Sequence, residues 1–265
     1  MLEPIPDLSQ ARILVTNDDG YDAEGIRVLE RIALSLSGDV WVVAPASEQS
    51  AASHSLTLRR PLHIERKGRR HFTVDGTPTD CVLVACHHIL KDRWPDLVLS
   101  GINLGANLAE DVLYSGTVAA AMEGAVLGVR AIAMSQARMP DGSLDFSGAE
   151  RRGPAIVKAL CDLTWRRETL MNVNFPAVTV EGMGPVRVVK LGRRGSGTEI
   201  VEGVSPGGHP HIWIGQYLTD ETSGENTDQT VVGEGGIAVT PLYLDMTDVA
   251  GIESTAKAFG EKITL

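Results

Sequence analysis

At 265 residues, 43% of them hydrophobic and 22% charged, the chain has enough apolar material for one large folded unit or one unit with an appendage. A formal net charge of −10 and an aromatic content of 5% argue against a nucleic-acid surface, whether electrostatic or base-stacking, so no stable nucleic-acid complex is expected. No apolar run approaches the roughly 20 residues that cross a bilayer. The acidic start Met1-Leu2-Glu3-Pro4-Ile5-Pro6-Asp7 lacks the basic and apolar regions of a secretory signal, so cytoplasmic residence without membrane contact is the expectation.

The run Arg12-Ile13-Leu14-Val15-Thr16 is apolar and β-branched, which predicts a strand covered on both faces. It ends abruptly at Asn17-Asp18-Asp19-Gly20. Ile26, Leu29, Ala33 and Leu36 then mark one face of a helix. Asp39 to Ala44 reads as the next strand, stopped by Pro45, and Arg59 to Val74 as a hairpin or two short strands. Thr79 or Asp80 is the expected cap of a helix that buries Val82, Leu83, Cys86, Ile89 and Leu90.

Asp96 to Ser100 predicts another buried strand, ending in Gly101-Ile102-Asn103. An alanine-rich helix over Thr117 to Leu127, a strand over Arg130 to Ser135, a helix over Ser147 to Leu163 and a strand over Leu170 to Asn174 continue the alternation. Repeated strand–helix units of this kind imply an α/β fold with a doubly wound, mainly parallel sheet, Rossmann-like in plan. The three cysteines, Cys81, Cys86 and Cys161, form no CxxC pair, and their odd number disfavours a disulfide framework. Small buried hydrophobes is the expected role.

The character changes near Val186. Between Gly192 and Gly236 lie eleven glycines and seven acidic residues, a composition that fits a projecting arm of hairpins better than a second core. Val249, Ile252, Ala256, Phe259 and Ile263 then space out one apolar stripe on a terminal helix suited to docking. The expected division is a catalytic core over residues 1–185 and, over 186–265, an oligomerisation arm, a returning strand and the C-terminal helix.

Four loops carry small oxygen-bearing residues: Asn17 to Gly20, Ala44 to Ser50, Ser100 to Asn107, and Tyr114 to Thr117. The first three leave strands and, in a parallel sheet, emerge on one edge, where ligands of open α/β sheets gather. Adjacent carboxylates at the end of an apolar strand repel each other and resist burial unless a cation neutralises them. A hard divalent metal is the usual answer, and an ordinary solvated turn is the alternative. Ser115-Gly116-Thr117 opens a helix, so its free N–H groups can cradle a phosphate, or its hydroxyls can simply cap the helix. His54, an imidazole four residues past Ser50, is a candidate proton shuttle with no partner evident in the sequence.

These segments together resemble the survival protein E (SurE) family of metal-dependent 5′/3′-nucleotidases. The resemblance runs over Ile13–Gly25, Val42–Thr57, Gly76-Thr77-Pro78-Thr79-Asp80-Cys81-Val82, Pro95–Ser135, Asn172–Pro176 and Thr227–Leu242. The NDDG element at 17–20, SGINLGAN at 100–107 and YSGTVAAAMEGA at 114–125 are jointly far more specific than any one short motif.

The resemblance implies a phosphomonoesterase acting on nucleoside 5′-monophosphates, with 3′-monophosphates and polyphosphate as further candidate substrates. It implies one divalent ion per subunit (Mg, Mn or Co), with Asp18, Asp19, Ser50 and Asn103 as ligands and Asp18 and Asp19 as the catalytic carboxylates. Asn107, Ser115, Gly116 and Thr117 would line the phosphate and substrate, and the arm would build a homodimer or homotetramer. Ala46 and Gln49 stand where the family's loop commonly has Asp and Arg, and Ala238 where it commonly has Ser.

Other readings remain open at this point. An aspartyl-phosphate phosphatase usually spaces its carboxylates as DxD, unlike the adjacent Asp18 and Asp19. A receiver domain would need a phosphoacceptor Asp where Ser100 stands. A regulator that binds nucleotide or phosphate without hydrolysing it is the main non-enzymatic alternative.

Overall fold

Alternation along one strand decides how the layers assemble. In β1 (Arg12–Thr16), Ile13 and Val15 face one apolar cluster and Leu14 the other, as the period of two requires. Residues 1–194, 197–218 and 224–260 are described by the computed structural model. The first cluster is covered by α1 (Glu24–Leu36) and α4 (Ser147–Cys161), the second by α2 (Pro78–Val84) and α3 (Gly116–Val126). Helices on both faces make the sheet doubly wound.

The other strands are β2 (Asp39–Pro45), β3 (Ile64–Arg66), β4 (His71–Val74), β5 (Leu97–Leu104), β6 (Arg130–Gln136), β7 (Thr169–Phe175), β8 (Val186–Val188), β9 (Gly197–Val204), β10 (Pro210–Leu218) and β11 (Ile237–Tyr243). Eight of them and β1 form one sheet in the order β3-β4-β2-β1-β5-β6-β7-β11-β8. From β4 to β7 all pairings are parallel, while β3 and β11 run antiparallel to β4 and β7. Sequence order runs outward in opposite directions from β1 and β5. The strand order therefore reverses between them, and ligands collect beyond the carboxyl ends at such a crevice.

Two local expectations are corrected. The helix after residue 76 is capped by Thr77, not by Thr79 or Asp80. Thr77 accepts from the N–H of Asp80, Asp80 returns the bond to the N–H of Thr77, and Pro78 takes the first helical position, where it loses no hydrogen bond. Second, β5 does not stop at Ser100. It continues to Leu104 through a cis Gly101–Ile102 peptide, with a register shift against β6 between Gly101 and Asn103. Only glycine fits at 101, because a Cβ there would lie 2.1 Å from the Met134 carbonyl oxygen and φ is +128°. The shift sets Asn103 beside Ser135 at the end of β6.

The three cysteines are free and buried, and burial pushes the thiols of Cys86 and Cys161 up to about 12 and about 11. The arm is the antiparallel pair β9–β10, standing apart from the main sheet, whereas β8 and β11 rejoin that sheet. Ile200, Val204, Ile212, Trp213 and Ile214 of the arm are exposed. After the short α5 (Asp228–Gly233), the terminal helix α6 (Val249–Ala258) has no buried residue, with Val249 61% exposed and Phe259, just past its end, 78%. Ile263 lies outside the described residues. Among the described residues no helix is long and apolar enough to cross a membrane.

Candidate active site at the carboxyl edge

The exit of β1 is a turn closed on itself, with the Asn17 side-chain amide donating to the Gly20 carbonyl at 2.8 Å. It is tied to the exit of β2 by Gln49 N–H to the Asp18 carbonyl (2.8 Å) and Tyr21 N–H to the Pro45 carbonyl (2.9 Å). These bonds hold the loop carrying Ser50 against the acidic pair. The Ser50 side chain is exposed, and its hydroxyl donates to Glu48 Oε1 at 2.8 Å.

Asp18 is buried, and the Thr117 hydroxyl in the first turn of α3 donates to its Oδ1. Gly116 is pressed against the same carboxylate, since a Cβ there would come within 2.7 Å of Asp18 Cβ and 2.9 Å of Oδ2. The glycine is thus required by close approach. Ser115 caps α3, accepting from the Val118 N–H at 3.1 Å. The N-terminus of α3 consequently meets the carboxyl end of β1, and its partial positive charge points at the acidic pair.

Asp19 accepts from the Leu104 N–H through Oδ2 at 3.2 Å, which fixes it at the end of β5. Asn103 donates its amide to the Gly105 carbonyl at 2.9 Å, leaving its carbonyl end as the side-chain oxygen for another partner. Asn107 is held deeper. Its amide donates to Ser135 Oγ (2.8 Å), its N–H to Asn174 Oδ1 (2.8 Å), and its carbonyl accepts from both Asn172 and Asn174 of β7. Of the eight expected site residues, Asp18, Gly116 and Thr117 are in direct contact and Ser115 caps the same helix end. Asp19 and Asn103 flank the end of β5, Ser50 sits on a loop tethered at Asp18 with its hydroxyl turned to Glu48, and Asn107 is locked in an amide network.

Burial pushes the Asp18 carboxyl up to about 6, the Thr117 hydrogen bond opposes the rise, and the charge of Asp19 adds to it. Asp19 is also raised by burial, against the Leu104 N–H. Glu48 raises it further and Arg138 lowers it. Beside the pair, Asn17 Oδ1 is buried without a partner.

Such a set fits a divalent cation. Two carboxylates disfavoured in their charged form gain most from a bound positive ion, and neutral Asn and Ser oxygens can complete a hard-oxygen shell. Among the described residues no cluster of three or more His, Cys, Asp and Glu could hold a metal. Any ion here would depend on those neutral oxygens. Sequence reasoning missed Glu48, Arg138, Ser135, Asn172 and Asn174. The last two alternate along β7 and so face one side, a period-two signal that was there to read. His54, by contrast, has a partner: its Nε2 lies 2.8 Å from Glu123 of α3.

A carboxylate pair at the strand-order reversal, faced by a glycine-opened helix N-terminus, marks a doubly wound α/β protein with its candidate site at the carboxyl edge of the sheet. The sequence profile described as survival protein SurE matches residues 13–198. A Rhodospirillum rubrum protein named 5′-nucleotidase SurE is 48% identical over 98% of this chain and 100% of its own length. One of the same name from Paramagnetospirillum magneticum is 49% identical over 97% and 98%. The crystal structure of a SurE protein from Aquifex aeolicus superposes with a TM-score of 0.83 at 38% identity, covering 94% of this chain and 100% of that one. The chain belongs to the SurE family.

Proposed function

We propose that the chain is a 5′-nucleotidase: a phosphomonoesterase that hydrolyses nucleoside 5′-monophosphates with one divalent ion held by Asp18, Asp19, Ser50 and Asn103. The observation that carries this reading is the buried Asp18 carboxylate, raised to about 6 and set against the N-terminus of α3. The full-length relatives named 5′-nucleotidase support it. When bound, the ion supplies Lewis-acid polarisation of the phosphoryl oxygens and activation of a water.

The remaining work falls to the chain itself. Asp18 and Asp19 balance the charge of the cation and are the carboxylates at hand to accept a proton from the attacking water. The N–H groups of Gly116 and Thr117 point along the axis of α3 and receive the phosphate, with Ser115 holding the helix end in shape. Asn107, gripped by Ser135, Asn172 and Asn174, keeps the substrate-side loop rigid, so little reorganisation is needed at the moment of reaction. The same cradle recognises phosphate rather than base, so 3′-monophosphates and polyphosphate belong among the substrates to be tried. The native ion is Mg, Mn or Co. The arm and α6 carry a homodimer or homotetramer on their exposed apolar surfaces.

Phosphate release from a panel of 5′- and 3′-monophosphates and polyphosphate, with each of Mg²⁺, Mn²⁺ and Co²⁺ and with chelator, tests the proposal. Metal-dependent release from 5′-monophosphates is expected. Nucleotide binding without release under every metal would make the chain a non-hydrolytic binding protein.

A further inference from the structure

We infer that Arg138 is the substrate-recognising cation of this site, binding the phosphate dianion of substrate and product while weakening the hold on the metal. The inference rests on the reading of the site as a metal–phosphate site. Arg138 stands two residues beyond β6, next to β5 on the carboxyl edge. Its Nη2 donates to the Leu104 carbonyl at 3.4 Å, and the Leu104 N–H in turn donates to Asp19. One residue's backbone thus joins the guanidinium to the acidic pair.

The space beside it is open. A Cβ built on Gly105 would meet only Arg138 Nε within 4 Å, so nothing else crowds the face of the turn that Arg138 borders. The side chain is exposed, and its one hydrogen bond among the described residues, long and to a carbonyl, leaves most of its five donors for another partner.

Charge gives the reason such a group is needed. Asp18, Asp19 and Glu48 together carry more negative charge than one divalent ion cancels, and a phosphate dianion adds to the excess. Arg138 is a cation joined to Asp19 through the backbone of Leu104. A planar fork also suits phosphate better than a point charge does.

The sign of the metal response separates recognition from mere support. A cation beside Asp19 repels a second cation, so removing it tightens divalent metal while loosening phosphate. A residue that only propped the Leu104–Gly105 turn would, when lost, weaken both.

The test is Arg138→Gln, with Arg138→Lys to keep the charge without the fork and Arg27→Gln as an equal charge change on an exposed side chain of α1. Calorimetry measures Mn²⁺ binding to the metal-free protein and inorganic phosphate binding to the Mn²⁺-loaded protein, and kinetics give KM and kcat for a nucleoside 5′-monophosphate. For R138Q, phosphate affinity should fall and KM rise about tenfold, the loss of a charge-assisted contact. Its kcat should stay within about threefold, and Mn²⁺ should bind about threefold more tightly. R138K should keep the wild-type Mn²⁺ affinity with an intermediate KM, and R27Q should match wild type throughout. Unchanged phosphate affinity in R138Q, weaker Mn²⁺ binding alongside a raised KM, an equal effect of R27Q, or no phosphate binding by the wild type would each overturn the assignment. Absence of turnover in the wild type would sink the nucleotidase reading alone, because the calorimetric comparison still decides the role of Arg138.

Discussion

The two edges of one sheet treat their aspartates in opposite ways. At the amino edge, Asp39 opens β2 and is bonded by Arg12 (2.8 Å), Trp41 Nε1 (2.9 Å) and Arg70 (3.2 Å). Burial pushes its carboxyl up, and the bonds from Arg12 and Trp41 with the charges of Arg12 and Arg70 more than offset that, leaving it below its ordinary value. At the carboxyl edge, Asp18 is more deeply buried, has a neutral hydroxyl and an aspartate for neighbours, and is raised to about 6. One acid is neutralised by the fold and the other is kept in want of a cation. Stability is assembled at the first edge, and on the proposed reading binding capacity is kept at the second.

The largest expected difference between the edges is in activity. Asp18→Asn or Asp19→Asn should lower metal-dependent phosphate release by about a thousandfold or more, the scale of a lost metal contribution, while melting temperature holds or rises. Near-wild-type turnover of both variants at saturating Mn²⁺ would dismiss the metal assignment. Gly116→Val comes next. Its side chain must displace Asp18, so turnover should fall about a hundredfold, with about 1–3 kcal/mol of stability lost to overpacking. If thermal stability alone changed, the glycine would matter for packing and not for the site.

A third prediction uses pH. The folded Asp18 carboxyl lies above its ordinary value of 3.8, so its protonated form favours the fold, and this contribution is lost as pH rises through about 6. Metal-free protein should therefore be more stable at pH 5 than at pH 7.5 by about 1.4 kcal/mol, and Asp18→Asn should flatten the profile. A flat profile in the wild type, measured calorimetrically in chelator, would count against the stored strain. The smallest effect belongs to the other edge. Asp39→Asn should cost about 1 kcal/mol with turnover intact, as befits a partly exposed ion-pair network. A separate break lies in α6: removing residues 245–265 should lower the oligomeric mass seen by light scattering, and an unchanged mass would clear the helix of that role.

Much of this architecture could be read in advance because it rests on short-range rules. The apolar run of β1, the helical spacing of Ile26, Leu29 and Ala33, and the abrupt Asn17-Asp18-Asp19-Gly20 each carry their own signal. The continuation of β5 past Ser100 could not be read, since glycine usually ends a strand and here the reason lies across the sheet at the Met134 carbonyl. The cap of α2 is ambiguous in the sequence because Thr77, Thr79 and Asp80 are all good capping residues, and only the reciprocal Thr77–Asp80 bonds choose between them. Glu48 and Arg138 carry no local signature. They matter through charge at a distance, which becomes visible only when the strand ends are assembled.

Asp228 gives the arm mechanical purchase on the core. This single buried carboxylate accepts from the N–H groups of Gly192 (2.7 Å) and Gln229 (2.8 Å) through Oδ1 and from the N–H of Ala109 (2.9 Å) through Oδ2. Gly192 marks one foot of the arm and Asp228 the other, and the Asp228 N–H returns to the Lys190 carbonyl at 3.0 Å. Ala109 follows Asn107 by two residues. Three backbone N–H groups, two at the feet of the arm and one on the loop that holds Asn107, therefore meet on one carboxylate. The hairpin and the loop beside the candidate site thus share one buried carboxylate as their common footing.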